Sequence, residues 1–261
     1  MDNILNFYKH LDGNFLNADN LKDCAKRLMC EFCIVKGDFY YQIGEIEFYY
    51  YSPNHKDIIT YPRNCFQGLW FFHQSGVDLT IQSKVDGENP NFGGILIRSV
   101  RKYTKEGTCI KTICGPQRCV NELFDYLNAI DNSIERTPKI IKYVFPDCEI
   151  DIPTQRFISF DVRSTEAKNG YQIIIEKKIV DKLNAILKAN DKYKNEANTE
   201  QAKEWLITDK IQNSIDLFKS YLIAPYRFYL KGFEWESDYK ARPQNIAKNG
   251  SKFLFIKDDH R

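Results

Sequence analysis

Residues 44–57 read GEIEFYYYSPNHKD, a strand-like run entering a turn that carries two acids among its apolar residues. On a strand alternate side chains share a face, so Ile46, Phe48 and Tyr50 point one way and Glu45, Glu47 and Tyr49 the other. A carboxylate therefore stands beside an aromatic ring on one surface. Taken alone, the segment suits a half-exposed sheet with solvated acids. A second strand changes that reading. GGILIRSV, residues 93–100, is almost wholly apolar except for Arg98, and a guanidinium in such a strand needs an acceptor, because burying a charge unpaired is costly. Glu47 is the expected partner, either in a structural ion pair or as a general base that Arg98 keeps ionised, the two jointly holding a water.

Outward from these two strands, the first half of the chain reads as mostly antiparallel sheet. CEFCIV (30–35), FYYQIGEIEFYYY (39–51), GLWFFH (68–73) and VDLTIQS (77–83) are rich in aromatic and β-branched residues and separated by short Gly, Asn or Ser turns. NADNLKDCAKRLM (17–29) looks helical, with Asn17 or Asp19 as N-cap, and Ile4, Leu5, Tyr8 and Leu11 suggest an earlier amphipathic helix. A helix is expected over VNELFDYLNAI (120–130), then a Pro-punctuated stretch from 137 to 153, a strand at FISFDVRS (157–164), and a charged helical run over 177–210 whose mixed signs suit a solvated face. APYRFYLKGFEWES (224–237) is strand-like and aromatic, and a polar tail follows.

The 261 residues are 43% hydrophobic, enough for one large domain with a real core, and the net charge of +2 demands no polyanionic partner. The opening MDNILNFYKHLDGNF has no signal-peptide pattern and no run is long and apolar enough to span a membrane, so a soluble, cytoplasmic protein is expected. In that setting the eight cysteines read as reduced thiols rather than a disulfide framework. Cys30 and Cys33 form a CxxC, half a zinc knuckle by spacing. No second CxxC accompanies it, Cys114 and Cys119 have the wrong spacing, and on a strand Cys30 and Cys33 would point to opposite faces. Small buried thiols, and no metal, are the expectation.

GEIEFYY followed by a His, GLWFFHQSGVDLTI, GGILIRSV, CGPQRCVNELF and PYRFYLKGFEWES stand in this order along the chain. In that order they resemble the alkyladenine (3-methyladenine) DNA glycosylase family, with its E-T-E-A-Y strand and His, aromatic hairpin, G-A-C-V-L-L-R-A strand, G-P-x-K-L helix start and P-x-R-F-Y-V-R-G ending. The resemblance covers roughly residues 20–130 and 217–237. It implies one α+β domain over 1–261, a curved, mostly antiparallel sheet with flanking helices, and a diverged or inserted helical segment at about 138–210.

By the same resemblance, Glu47 matches the acid that activates the attacking water and Arg98 the arginine of the following central strand. Tyr49 matches the ring that stacks on the extruded base, His55 the pocket histidine, though its connection from Glu47 is shorter, and Phe72 a second aromatic wall, with Phe in place of Tyr. These residue types suit N-glycosidic cleavage, in which a carboxylate and a polarised water meet an oxocarbenium-like centre while rings hold the leaving base. No lysine nucleophile, metal or organic cofactor is implied.

The departures lie at the hairpin. Its tip is HQSG, with Ser75 where family members place a Tyr that wedges into the duplex, so that only His73 or Gln74 could take its place. Asp78 interrupts the return strand VDLTI, where no Asn aligns with the family's pocket Asn, and it either shares the cavity with Glu47 and His73 or caps the turn. The expected function is a monofunctional N-glycosidase releasing a damaged or modified purine from DNA, single-stranded or distorted by preference, acting as a monomer away from membranes. Gln74, Ser75, Arg101 and Lys102 are the expected DNA contacts, with a basic patch around Lys56, Arg63, Arg101 and Lys102. The alternatives are an N-glycosidase acting on a free nucleoside, nucleotide or unusual nucleobase, and a non-catalytic nucleic-acid-binding relative.

Overall fold

Phe39–Ser52 carries nine aromatic or β-branched residues before Pro53 ends it, and it forms a strand 14 residues long. This strand, β2, is the spine of the fold in a computed structural model that describes residues 18–53, 55–57, 60–74, 76–85, 90–125, 136–154, 156 and 224–239. Around it lie α1 (Ala18–Cys30), β1 (Phe32–Lys36), β3 (His55–Lys56), β4 (Trp70–His73), β5 (Gly76–Thr80), β6 (Phe92–Tyr103), β7 (Cys109–Cys114), α2 (Pro116–Leu123), β8 (Lys139–Lys142) and β9 (Arg227–Tyr229). All the pairings are antiparallel, and the main path through the sheet is β4-β5-β6-β2-β1-β8. Although β4 and β8 lie at opposite ends of that path, the Trp70 indole donates to the Pro138 carbonyl at 2.9 Å. The sheet is therefore curled into half a barrel, and with the two helices among the described residues it makes one α+β domain, as expected.

The curl has a corner. β6 accompanies β2 from Tyr40 to Tyr51, but the register slips on both sides of Glu45, leaving Gly44 on β2 and Arg98 on β6 as extra residues. Both outer neighbours change there. The free edge of β2 pairs with β1 up to Tyr41 and with β9 from Glu45 to Glu47. β6 pairs with β5 up to Leu96 and with β7 from Ser99. The Arg98 carbonyl between them accepts from the Gly115 amide at 2.7 Å.

Helix α1 buries Leu21, Cys24, Ala25, Leu28 and Met29, the spacing of a helical stripe, against the same core as Tyr41, Ile46 and Phe48. Helix α2 starts at Pro116 after Gly115, whose φ of 109° suits glycine, and buries Cys119 and Leu123. Its Glu122 carboxylate takes Lys102 at 2.9 Å, Lys111 at 2.8 Å and the Tyr41 hydroxyl at 3.0 Å.

Several expectations change. Asp19 lies inside α1 rather than capping it, and Asn17 lies outside the described residues. Helix α2 begins ahead of VNELFDYLNAI, because Pro116 is pre-organised for a first helical turn. Residues 139–142, placed in the helical segment at about 138–210, are instead β8, paired with β1; 157–210 lie outside the described residues, as do the helix expected before residue 12 and the tail after 239. Cys30 is the last residue of α1, not part of a strand, and is bonded to Cys148. One pair is thus a disulfide where reduced thiols were expected, because the fold brings together two residues far apart in sequence; the other six cysteines are free. Among the described residues no helix is long and apolar enough to cross a membrane.

Two measurements test the corner and the docking of α2. A Cβ at Gly44 would fall 2.0 Å from a carbon of the buried Phe233 ring. Gly44→Ala is expected to cost about 2–3 kcal/mol in urea unfolding, as overpacking does, and to be partly relieved by Phe233→Leu. Burial alone would raise the Glu122 pKa, but the hydrogen bonds from Lys111, Lys102 and Tyr41 outweigh it and hold the carboxyl at about 2. Its contribution is present above the ordinary carboxylate range and is lost as the pH falls toward about 2. Glu122→Gln is expected to destabilise the protein at neutral pH and to flatten the acid side of its stability curve.

Candidate functional site

Two carboxylates and two guanidiniums meet at the corner, all buried. Arg98 donates from Nε to Glu45 Oε1 at 3.1 Å and from Nη1 to Glu47 Oε2 at 3.0 Å, and so bridges the two acids. Arg227, delivered by β9, pairs through Nη2 with Glu45, and its Nε lies 4.0 Å from Glu47 Oε1. Ser99 and Tyr239 donate to Glu45 Oε2 at 2.9 and 3.2 Å, and the Tyr49 hydroxyl donates to Glu47 Oε2 at 3.0 Å. Burial pushes the Tyr49 phenol well above its ordinary pKa, and the Glu47 carboxylate adds to the rise. Burial disfavours the charge on Arg98, but Glu47, Tyr239 and Glu45 overcome it and drive its pKa up. The acids are thus not the solvated carboxylates of a half-exposed sheet. The charges balance two against two, which is what allows them to be buried.

From this cluster a polar row runs across the sheet. Directly opposed residues share a face, and the pairs Arg227–Glu47, Glu47–Leu96, Leu96–Asp78 and Asp78–Phe71 place these side chains along one surface. Asp78 accepts from Arg63 Nη1 at 2.8 Å and meets His73 Nε2 at 2.9 Å. It therefore shares the Glu47 face with His73 and does not cap the turn. The Arg63 guanidinium lies 4.1 Å from the Phe71 ring centre, and its Nη2 is buried without a hydrogen-bond partner among the described residues. Gly94, opposite Tyr49, leaves room for this arrangement: a Cβ there would stand 2.6 Å from Asp78 Oδ2.

A second ion pair flanks Tyr49. Arg156 binds Asp57 through both Nη atoms, at 2.5 and 3.1 Å, and its guanidinium covers the rings of Tyr49 at 4.8 Å and Tyr226 at 5.2 Å. His55 reaches the Tyr226 hydroxyl with Nε2 at 2.7 Å and the Tyr50 carbonyl with Nδ1 at 2.8 Å. Burial lowers its pKa, against the pull of Asp57.

Of the residues expected at the site, Glu47, Arg98 and Tyr49 are brought together in one hydrogen-bonded group, and Asp78 and His73 lie on the same face. His55 is joined to them by way of Tyr226 and Arg156. Phe72 is not at the Glu47 row. It pairs with Val77, is 47% exposed and packs edge-on against Phe124 at 4.7 Å, while Phe71 takes the place opposite Asp78. Alignment through the hairpin had the aromatic position one residue out, which on a strand reverses the face. Gln74 is exposed, and Ser75 lies outside the described residues.

Among the described residues, Arg63 and Lys102 of the expected basic patch are paired with acids, and Arg101 is not. Arg63 is buried on Asp78, Lys102 is held by Glu122 and the Phe39 ring, and Arg101 lies over the Phe233 ring at 4.6 Å; the Lys56 side chain is outside the described residues. Sequence reasoning gave no site role to Glu45, Arg227, Tyr239, Asp57 and Arg156, and placed Arg63 only in a basic patch. Arg227 sits in PYRFYL, an apolar run, where the argument applied to Arg98 would have found it. Among the described residues no group of His, Cys, Asp and Glu is arranged to hold a metal.

Arg98 hydrogen-bonds to both acids, so its loss is expected to be disproportionate. Arg98→Ala leaves two buried carboxylates facing a single guanidinium and is expected to cost about 3–5 kcal/mol in urea unfolding. Glu47→Gln, which keeps shape and an acceptor, is expected to cost well under half of that.

No protein-family model, curated protein or solved structure matches the chain, so the chemistry of the site rests on its own geometry.

Proposed function

We propose that the chain is a monofunctional N-glycosidase with the alkyladenine DNA glycosylase-like fold, and that Glu47 activates the water that hydrolyses the glycosidic bond of a damaged or modified purine in DNA. The observation that carries this reading is the convergence of Arg98 Nη1 and the Tyr49 hydroxyl on one oxygen of Glu47, each at 3.0 Å. A carboxylate fixed by two donors has one orientation, and its aromatic neighbour Tyr49 is only half-buried, so the group that steadies the base also leads toward the surface.

In this mechanism Glu47 takes a proton from water, the water oxygen bonds to C1′ of the sugar, and the electrons of the C1′–N bond leave with the nucleobase. Glu45 and Glu47 lend negative charge to the oxocarbenium-like centre. The buried Nη2 of Arg63, on the same face, offers a donor to the departing base. Nothing in these steps calls for a cofactor.

One observation favours a smaller substrate, a free nucleoside or nucleotide: Arg63 and Lys102, expected to bind phosphates, are engaged by Asp78 and Glu122. The deciding measurement is base release from alkylated and deaminated purines presented in duplex, in single strands and as free nucleosides. Glu47→Gln is expected to lower turnover by about 10²-fold or more while the protein stays folded by circular dichroism. Glu45→Gln, in the same buried cluster but bonded to Ser99 and Tyr239 instead of Tyr49, is expected to lose stability more than turnover. Turnover unchanged in Glu47→Gln would remove that residue from the mechanism.

A further inference from the structure

Beyond the corner from Glu47 lies a cavity of about 600 Å³ that shares no residue with the buried ion cluster. Tyr40 opposes Tyr103 and Gln42 opposes Arg101 across β2 and β6, so these four side chains lie on one face and form its floor. The segment after β8 supplies a wall of rings: Tyr143 is 4.8 Å from Phe145 and 6.2 Å from Tyr40, and Phe145 is 6.4 Å from Tyr103.

This wall is tied down. Tyr143 and Phe145 donate their amides to the Glu31 and Cys30 carbonyls at 2.9 and 2.8 Å, and the Lys231 amide donates to Glu149 at 2.9 Å. Cys148 is bonded to Cys30. The aromatic surfaces therefore face the cavity in a fixed arrangement rather than collapsing on each other.

The charges in the cavity are unequal in availability. Lys105 is paired with Asp38 at 3.1 Å and Lys231 with Glu149 at 2.7 Å. Arg101 has no carboxylate partner among the described residues. It meets the Gly232 carbonyl, at 3.5 Å, the face of Phe233 and the Tyr103 hydroxyl. Gln42, largely buried, accepts from the Tyr103 hydroxyl at 3.3 Å, donates to Cys148 Sγ at 3.7 Å and is the one side-chain amide on the floor among the described residues.

Flat rings that offer stacking faces, an amide that can read a polar edge and an unneutralised guanidinium at the side are together suited to a planar heterocycle that carries an anion. The volume is that of a small-ligand site, and a cation beside aromatic platforms is how single-stranded nucleic acid is held without base pairing. We propose that this cavity binds a nucleobase with its phosphate, the ring stacked on Tyr143 or Phe145 and the phosphate on Arg101, at a site separate from Glu47. The nucleobase comes either from a free nucleotide or from one unit of a single strand.

The test uses the full chain. Binding of adenosine 5′-monophosphate, adenosine, inorganic phosphate and a ten-residue oligothymidylate is measured by calorimetry, and 5-iodouridine 5′-monophosphate is photocrosslinked and its attachment mapped by mass spectrometry. The expected result is saturable binding of the mononucleotide or the strand, at least tenfold weaker for adenosine and for phosphate alone, with crosslinks in the peptides carrying Tyr40, Tyr103, Tyr143 or Phe145. Mononucleotide binding identifies the free ligand, and binding by the strand alone identifies nucleic acid.

Arg101→Gln and Tyr143→Ala are each expected to weaken binding at least tenfold. Tyr143 is 45% exposed, so its truncation leaves the fold intact. Glu47→Gln is expected to leave the crosslink positions unchanged, which separates this site from the glycosidase reading. No binding at millimolar concentration, binding indifferent to both substitutions, or crosslinks confined to β5 or to the segment around Glu47 would each overturn the proposal.

Discussion

The paired hydrogen bonds from Arg98 to Glu45 and Glu47 are the constraint on which the rest of the sheet depends. Two acids on one strand can be buried only if cations reach them, and the cations come from two other strands: Arg98 from β6 and Arg227 from β9. The arrangement therefore fixes which strands flank β2 and in what register, since a slip of one residue would turn the arginines to the opposite face. Buried ion clusters contribute little net stability compared with apolar packing, but they penalise every arrangement that leaves a charge unmatched. Here that penalty falls on alternative registers of the three strands that carry the candidate site.

The extra residues at Gly44 and Arg98 explain why the cluster sits where it does. A bulge on each strand lets the neighbours of β2 and β6 change, from β1 to β9 and from β5 to β7. The same corner separates two kinds of surface. On one side lie the acids, Tyr49, Asp78 and Arg63, closely paired. On the other lie Tyr40, Gln42, Arg101 and Tyr103, lining open space. One pair of long strands thus presents a charged interior suited to chemistry and an aromatic recess suited to recognition.

Much of this was legible in the sequence, for reasons that can be named. β2, β4, β5 and β6 announce themselves by aromatic and β-branched runs, and the Arg98–Glu47 contact follows from asking what a lone guanidinium in an apolar strand must bind. β7 was missed because CIKTIC has an exposed outer half and is a strand by virtue of its pairing with β6. The pairing of Asp57 with Arg156 and of Cys30 with Cys148 spans 99 and 118 residues, and no local pattern specifies a partner at that distance. Phe72 shows how fine the margin is. Its hairpin was found, yet the choice between Phe71 and Phe72 turned on a single residue of register.

The position of β9 also has a consequence in time. A ribosome releases Glu45 and Glu47 long before Arg227, and at ordinary elongation rates the interval is roughly 10–40 s. Until then β9 cannot pair with the middle of β2, and Glu45 and Glu47 lack one of the two arginines they meet in the finished fold. The acids keep this unfinished edge hydrated and repel an identical edge on a neighbouring nascent chain, much as inward-pointing charges guard edge strands elsewhere. The feature that makes the finished site demanding to assemble therefore also guards the chain against sticking to its copies while it waits for β9.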